Sequence, residues 1–316
     1  MNTHPPLFSI VIPTWGKAQF LNQVLIGLQT QSETNFETII VDNNDPPRIQ
    51  IIDIERPCSS FRIVWEPRNG LSYARNAGIV HSNGKFIAFL DDDGVPDKDW
   101  LANLATGVDK YQADMIGGSV RLVLQESAPA WFSNELRGYL SELMYEGKDI
   151  ANIGDDQYVV GANMCISNEA CNTIGGFSHF FDRTATSLRS SGDLEYMKRL
   201  QANGYRVAFA ASALVWHQIP KYRVQRKYLI MRAYWQGRSD ALLEIKWGRP
   251  ASFGHRNNWK NLLAIASGFR RLLFRREPVP RFEYFLKFVR EVGYGFQYVL
   301  LTFDKKLINE QCRLDD

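Results

Sequence analysis

The sequence predicts an α/β fold, a mainly parallel sheet flanked by helices, with a C-terminal helical extension. Through the first 125 residues, short apolar runs alternate with apolar residues at helical spacing, as βαβ units do. One such run, Phe86 to Leu90, delivers three consecutive acids, Asp91, Asp92 and Asp93, at its carboxyl end, the edge where open α/β sheets bind ligands. Residues 221–290 hold 17 Lys or Arg against four acids, a local +13 in a chain of net charge +3, so the remainder carries −10.

Each element follows from its own pattern. Phe8 to Thr14 reads as a buried strand, and Leu21, Val24, Leu25 and Leu28 form one face of a helix. A second strand, Phe36 to Val41, stops at the turn-forming cluster Asp42-Asn43-Asn44-Asp45-Pro46-Pro47. A third runs from Phe61 to Trp65, a helix follows from about Ser72 to Gly84, and Phe86 to Leu90 is the fourth strand. Beyond Val123 a loop rich in Trp131, Phe132 and Tyr139 leads to a strand over Tyr158 to Ile166. Ser191 to Asn203 reads as a helix, capped by Ser190 or Ser191 and closed by Gly204. A strand pair, Val207 to Ala210 and Leu214 to Trp216, ends at His217.

A chain of 316 residues with 45% hydrophobic and 13% aromatic content buries one sizeable core or two linked ones, unlike a disordered tail or a disulfide-stapled miniprotein. Cys58, Cys165, Cys171 and Cys312 lack zinc-knuckle or haem spacing and point to reduced thiols in a cytosolic setting. The start lacks the pattern of a signal peptide, and no 18-residue uncharged apolar run is present to span a bilayer.

Three adjacent carboxylates repel one another unless something positive sits among them. A hard divalent cation, Mg2+ or Mn2+, which takes carboxylate and phosphate oxygens, answers that need; a solvated turn preceding the next helix is the alternative. Asp193 lies at a helix N-terminus, which favours an ionised carboxylate, so it suits a general base or simply a first-turn acid.

In order along the chain stand "SIVIPTWGK", "FETIIVDNN", "EPRNGLSYARNAGI", "FIAFLDDDGVPDKDWL", "GANMCIS", "GGF", "SGDLEYMKRLQANGY" and "LVWH". This series resembles the family 2 glycosyltransferases over residues 8 to about 240. The resemblance implies the GT-A fold, a Rossmann-like mainly parallel sheet, and inverting transfer from a nucleotide sugar, with UDP-sugars favoured. It places Pro13, Thr14, Asp42, Asn43, Asn69, Arg75, Asp91 and Asp92 at the donor. It gives Asp91, Asp93 and His217 to the metal, Mn2+ or Mg2+, and makes Asp193 the base that deprotonates the acceptor hydroxyl. Trp131, Gly161 and Asn163 fall on the acceptor side, although the Trp131 and Phe132 rings serve equally as core. Thr184 to Ser191 reads as a loop able to close over the donor. Two departures stand out: Asn43 occupies the place of the family's usual base-reading acid, and Gly192 replaces the Glu that commonly precedes the catalytic Asp.

The expected organisation is a catalytic domain over 1–220, with a nucleotide-sugar half over 1–125 and an acceptor half over 126–220, then a basic amphipathic helical extension over 221–316. Trp259, Leu262, Leu263, Ala266, Phe269 and Leu273 fall at helical spacing beside Arg270, Arg271, Arg275 and Arg276. Phe282, Phe285, Leu286, Val289, Val292 and Phe296 repeat the pattern. Such a segment suits a peripheral anchor on an anionic membrane, at the inner face of the plasma membrane, serving a saccharide or lipid-linked acceptor. Packing on the catalytic domain and binding of a partner protein or acidic polysaccharide are the competing uses. No nucleic-acid-binding module accompanies the cations. A non-catalytic carbohydrate-binding or scaffold protein on the same fold is the alternative to an enzyme, and intact Asp91, Asp93 and Asp193 argue against it.

Overall fold

The computed structural model describes residues 5–16, 20–49, 60–184, 186–247 and 278–303. The chain forms two compact units: Met1–Val123 with Ser141–Ala185 and Gly192–Gln218, and Leu124–Leu140 with Thr186–Ser191 and Ile219–Asp316. The change of unit after Gln218 lies near the expected boundary at 220, but 124–140 and 186–191 group with the C-terminal helices.

The first unit is built on an eight-stranded sheet. Its strands are β1 (Phe8–Thr14), β2 (Phe36–Asp42), β3 (Phe61–Trp65), β4 (Phe86–Leu90), β5 (Gly94–Pro96), β6 (Met115–Leu124), β7 (Asn163–Ser167) and β8 (Val207–Ile219), in spatial order β3-β2-β1-β4-β7-β6-β8-β5. β1 pairs in parallel with β2 and β4, and β2 with β3, while β7 runs antiparallel to β4 and β6, and β5 to β8. The sheet is therefore mixed, its parallel half being the one whose connections carry α1 (Leu21–Gln29) and α2 (Leu71–Val80). The remaining helices of this unit are α3 (Trp100–Tyr111), α4 (Asn168–Ile174) and α5 (Gly192–Ala202).

Phe8, Ile10 and Ile12 of β1 share one cluster with Val24, Leu25 and Leu28 of α1 and Trp100, Leu101 and Leu104 of α3. Each such side chain, fully buried, contributes about 1.5–3 kcal/mol. The alternation in β1 thus faces these helices on one side, while Val11 on the other meets α2 at Gly78, where any Cβ would collide with it.

Three local expectations change. The expected strand pair near the end of the unit is one continuous strand, β8, because Ala211-Ser212-Ala213 contains no Gly or Pro to break it. Ser119 Oγ donates to Ala211 O and Asn163 Nδ2 to Ala213 O, holding that stretch in line. Only Asn163–Ser167 of the expected Tyr158 to Ile166 strand is extended in the sheet. α2 stops at Val80, with His81 and Ser82 closing its last turn.

The second unit centres on α6 (Arg226–Trp247) and α7 (Pro278–Phe303). Gly237 and Gly293 let the two backbones approach: a Cβ on either would meet the carbonyl of Arg290 or Tyr234. Polar pairs fix the register, with Arg290 Nε donating to Asp240 Oδ2 at 2.6 Å, Arg238 Nε to Gln297 Oε1 at 2.9 Å and Tyr294 OH to Glu244 Oε2 at 2.7 Å. α7 also carries Tyr284, Val292, Phe296 and Val299, each about half exposed, with Phe296 at the margin of the contact with α6, beside Tyr234 and Arg238. Among the described residues no helix is long and apolar enough to cross a membrane. The stretch from Trp259 to Arg276, with Cys58 and Cys312, lies outside the described residues.

Candidate active site

β1, β2 and β4 deliver Thr14, Asp42 and Asp91 at one edge of the sheet, since the parallel register sets Thr14 opposite Asp42 and the acids follow directly on β4. Gly94 N closes the acidic turn on Asp91 O at 2.9 Å, and β5 then pairs with β8 so that Gly94 lies opposite His217. That register brings Asp93 to His217. Nε2 of the imidazole stands 3.0 Å from Asp93 Oδ1, with both side chains buried.

Asp91 has a different partner. Arg75, reached from α2, places its NH2 group 3.4 Å from Asp91 Oδ1. Its guanidinium lies over the Phe177 ring at 5.3 Å and so close to Gly161 that a Cβ there would overlap it. The buried Arg75 Nε has no hydrogen-bond partner among the described residues, leaving the guanidinium with donor capacity to spare.

Gly161 links this arginine to the helix on the other side. Its N–H donates to Asp193 Oδ2 at 2.7 Å, while Oδ1 accepts from Leu194 N at 2.9 Å. Asp193 stands in the first turn of α5, half-buried, with its carboxylate oriented by two backbone amides. These two amides fix the direction in which the carboxylate faces at the start of α5.

Several expected ligands are otherwise engaged. Asp42 is fully buried: Oδ1 accepts from the backbone and side-chain nitrogens of Asn44, and Oδ2 from Arg48 N at 2.6 Å and Ile49 N at 2.7 Å. Four donors at once leave it shaping the loop after β2 rather than open to a base. Asn43 donates through Nδ2 to Glu66 O and Arg68 O and accepts Gly70 N, which fastens the approach to α2. Asn163, wholly buried, gives Nδ2 to Ser119 O and Ala213 O and accepts Trp100 Nε1, so both of its donors and its place in the core serve the sheet.

Trp131 belongs to the helical unit, where it packs edge-on against Phe282 at 5.1 Å and carries the Arg226 guanidinium above it, also at 5.1 Å. The expected donor-closing loop is likewise assigned there over 186–191, with Ser190 N bound to Ser239 Oγ and Ser190 Oγ to Gln236 Oε1. Pro13 and Thr14 are buried in β1, Asp92 is partly exposed beside Asp91, and Asn69 is exposed just before Gly70.

Three residues were missed. Trp15, 54% exposed directly after β1, is a large aromatic at this sheet edge, as is Trp65 at the end of β3, and its place after a buried strand was a signal available in the sequence. Phe177, beneath Arg75, belongs to the "GGF" segment, but nothing in the spacing linked it to α2. Asp182 meets Ser72 across 110 positions, a pairing without any local signal.

Divalent-cation chemistry can be tested against these side chains. Among the described residues no group of three or more His, Cys, Asp or Glu is gathered as a metal-ion site, so Asp91, Asp93 and His217 are not drawn together as a trio here. Asp93 and His217 do fit as a pair: carboxylate and imidazole both suit Mn2+, and two protein ligands leave coordination positions for phosphate oxygens.

A family model described as glycosyl transferase family 2 matches residues 9–175. The Haloferax volcanii protein named glucosyl-dolichyl phosphate glucuronosyltransferase is 24% identical over 319 residues, spanning 93% of this chain and 96% of its own. Among solved structures, the mannosyltransferase PcManGT from Pyrobaculum calidifontis, in complex with GDP-Man and Mn2+, aligns with a TM-score of 0.63 at 16% identity, over 94% of this chain and 88% of its own. S. aureus TarS aligns at 0.53 and 15% identity over 92% of this chain, which spans 55% of the length of TarS. At such identities these two structures speak for the GT-A fold alone.

Proposed function

This chain belongs to glycosyl transferase family 2, and from that premise we propose that it moves a sugar, with inversion, from a nucleotide-diphosphate sugar to a hydroxyl of a saccharide or lipid-linked acceptor. A UDP-sugar is the favoured donor, in surface polysaccharide or glycoconjugate synthesis. The observation that carries the proposal is the chain of contacts Asp91–Arg75–Gly161–Asp193, which sets a cation and a base on opposite sides of one glycine.

In this reading Arg75 binds the donor's diphosphate with charge-assisted hydrogen bonds, and Asp91 orients it from the end of β4. Asp93 and His217 would hold Mn2+ or Mg2+, which supplies Lewis-acid neutralisation of the diphosphate when bound. Asp193 takes the proton from the acceptor hydroxyl. The oxygen's electron pair then forms the new bond to the anomeric carbon as the bond to the diphosphate breaks, and attack from the opposite face inverts the configuration. Trp15 is positioned to present a flat apolar surface at the donor edge.

A lipid-linked acceptor is supported by the name of the Haloferax volcanii relative, which specifies a dolichyl phosphate substrate. A peripheral position at an anionic, cytoplasmic membrane face is supported by the cation excess over 221–290 and by the solvent-facing stripe on α7. Incubation with a panel of nucleotide sugars and Mn2+ tests the core of the reading: it predicts slow hydrolysis of one donor by the wild type, and no turnover of any donor, with or without candidate acceptors, contradicts it.

A further inference from the structure

The loop from Gly176 to Arg183 is fastened along the start of α2. Leu71 N donates to Arg183 O at 3.1 Å, Ser72 N to Asp182 Oδ1 at 2.8 Å and Ser72 Oγ to Ser178 O at 3.0 Å. One turn on, Asn76 Nδ2 donates to Phe177 O at 3.0 Å and its Oδ1 accepts from Phe177 N at 2.7 Å. Arg75 lies inside this clamp, over the Phe177 ring.

The cap of α2 is borrowed from far away in the sequence. Gly70 at the N-cap has φ 155, in the region that favours glycine, and no side chain with which to cap. Asp182 supplies the missing acceptor, and its Oδ2 lies where a Cβ at position 70 would stand.

This carboxylate is costly to bury. Asp182 is 5% exposed, its Oδ2 has no hydrogen-bond partner among the described residues, and burial pushes its carboxyl up to about 6 against the opposing pull of Ser72, Arg75 and Arg183. Ionising it in the folded state is unfavourable, so the stability it offers is greatest below its ordinary value of 3.8 and declines as pH rises to about 6. The charged side chain acting on it is Arg75 on α2, and Arg183 on its own loop contributes a backbone amide. An asparagine would cap Ser72 N–H without that cost; what the carboxylate adds is negative charge beside Arg75 and the helix N-terminus.

We propose that Asp182 is a positioning residue for the donor, anchoring the first turn of α2 and thereby holding the Arg75 guanidinium where the diphosphate binds. This rests on the assignment of Arg75 to the donor.

The test is a double-mutant cycle on the full chain at pH about 7.5, reading UDP affinity in the presence of Mn2+ by calorimetry together with amide exchange at Leu71 and Ser72. Asp182→Ala and Arg75→Ala should each weaken UDP about tenfold, the scale of one charge-assisted hydrogen bond, and the double variant no more than Arg75→Ala alone. Asp182→Ala should also speed exchange at Ser72. Asp182→Asn should restore protection of that amide yet leave UDP binding weakened, which separates the cap from the charge and guards against a folding artefact. Additive losses in the double variant, or wild-type affinity in Asp182→Asn, overturn the positioning role while leaving Arg75 at the donor. Wild-type affinity in Arg75→Ala overturns both.

Discussion

The amide of Gly161 donates to the Asp193 carboxylate at 2.7 Å, and the Cα of the same glycine lies against the Arg75 guanidinium. One residue without a side chain therefore spaces a carboxylate, the proposed base, from a guanidinium. Any larger residue at 161 would displace the arginine, the aspartate or both. Gly161→Val is accordingly expected to lower kcat/KM by about a hundredfold, the scale of a misplaced reacting group, with little change in unfolding midpoint. Kinetics and urea denaturation on the same samples check this.

Asp93 and His217 meet at 3.0 Å because β5 and β8 pair in one particular register. Replacing the acid with an amide removes a hard anionic ligand but keeps the shape. Asp93→Asn should lose metal-stimulated turnover while its far-ultraviolet circular dichroism matches wild type. Wild-type activity in EDTA-treated protein with full metal response in the variant contradicts the assignment.

Asp42 accepts four hydrogen bonds from the loop that follows it. Asp42→Asn turns one acceptor into a donor facing the Arg48 and Ile49 amides, a loss of about 1–3 kcal/mol for each buried group left unpaired. Stability should fall, and the order of preference among UDP, GDP and TDP should stay as in wild type. A change in nucleobase preference without loss of stability returns Asp42 to the base.

These cases show what the sequence made legible. β1 and β4 begin and end where hydrophobic runs do, because strands buried on both faces are read from composition alone, and the half-buried β3 keeps the same bounds through its β-branched and aromatic residues. Ordered motifs single out Asp93, Asp193 and Arg75, and the fold brings the last two to a common glycine. Motifs do not reveal which way a polar side chain turns. Asn43 and Asn163 look the same in sequence whether they face a ligand or, as here, backbone carbonyls of neighbouring strands and loops. The continuous β8 was hidden by small residues with weak strand preference, held in line by Ser119 and Asn163 from elsewhere in the chain. Asp182 depended on a contact over 110 residues, which no local pattern records.

Tyr284, Val292 and Val299 are about half exposed on α7, and Phe296, also half exposed, flanks them at the margin of the side packed on α6, beside Tyr234 and Arg238. The full chain should float with anionic vesicles at low salt and detach as ionic strength rises, since exposed charges are screened within about 8 Å at physiological salt. Val292→Glu with Phe296→Glu should abolish flotation and leave donor turnover intact. Equal flotation with neutral and anionic vesicles contradicts the electrostatic part of the anchor.

Asp193 is the proposed base of an inverting transfer, and Asp193→Asn probes that role. The amide's oxygen can still accept Gly161 N–H, and the Leu194 N–H it no longer receives lies at the half-buried start of α5, where water can replace it, so the local structure should survive while the proton acceptor is lost. With donor and acceptor saturating, kcat should fall by about 10²–10⁴ while donor affinity measured by calorimetry stays within a factor of two or so of wild type. A variant that turns over at the wild-type rate, or that no longer binds the donor, contradicts the account.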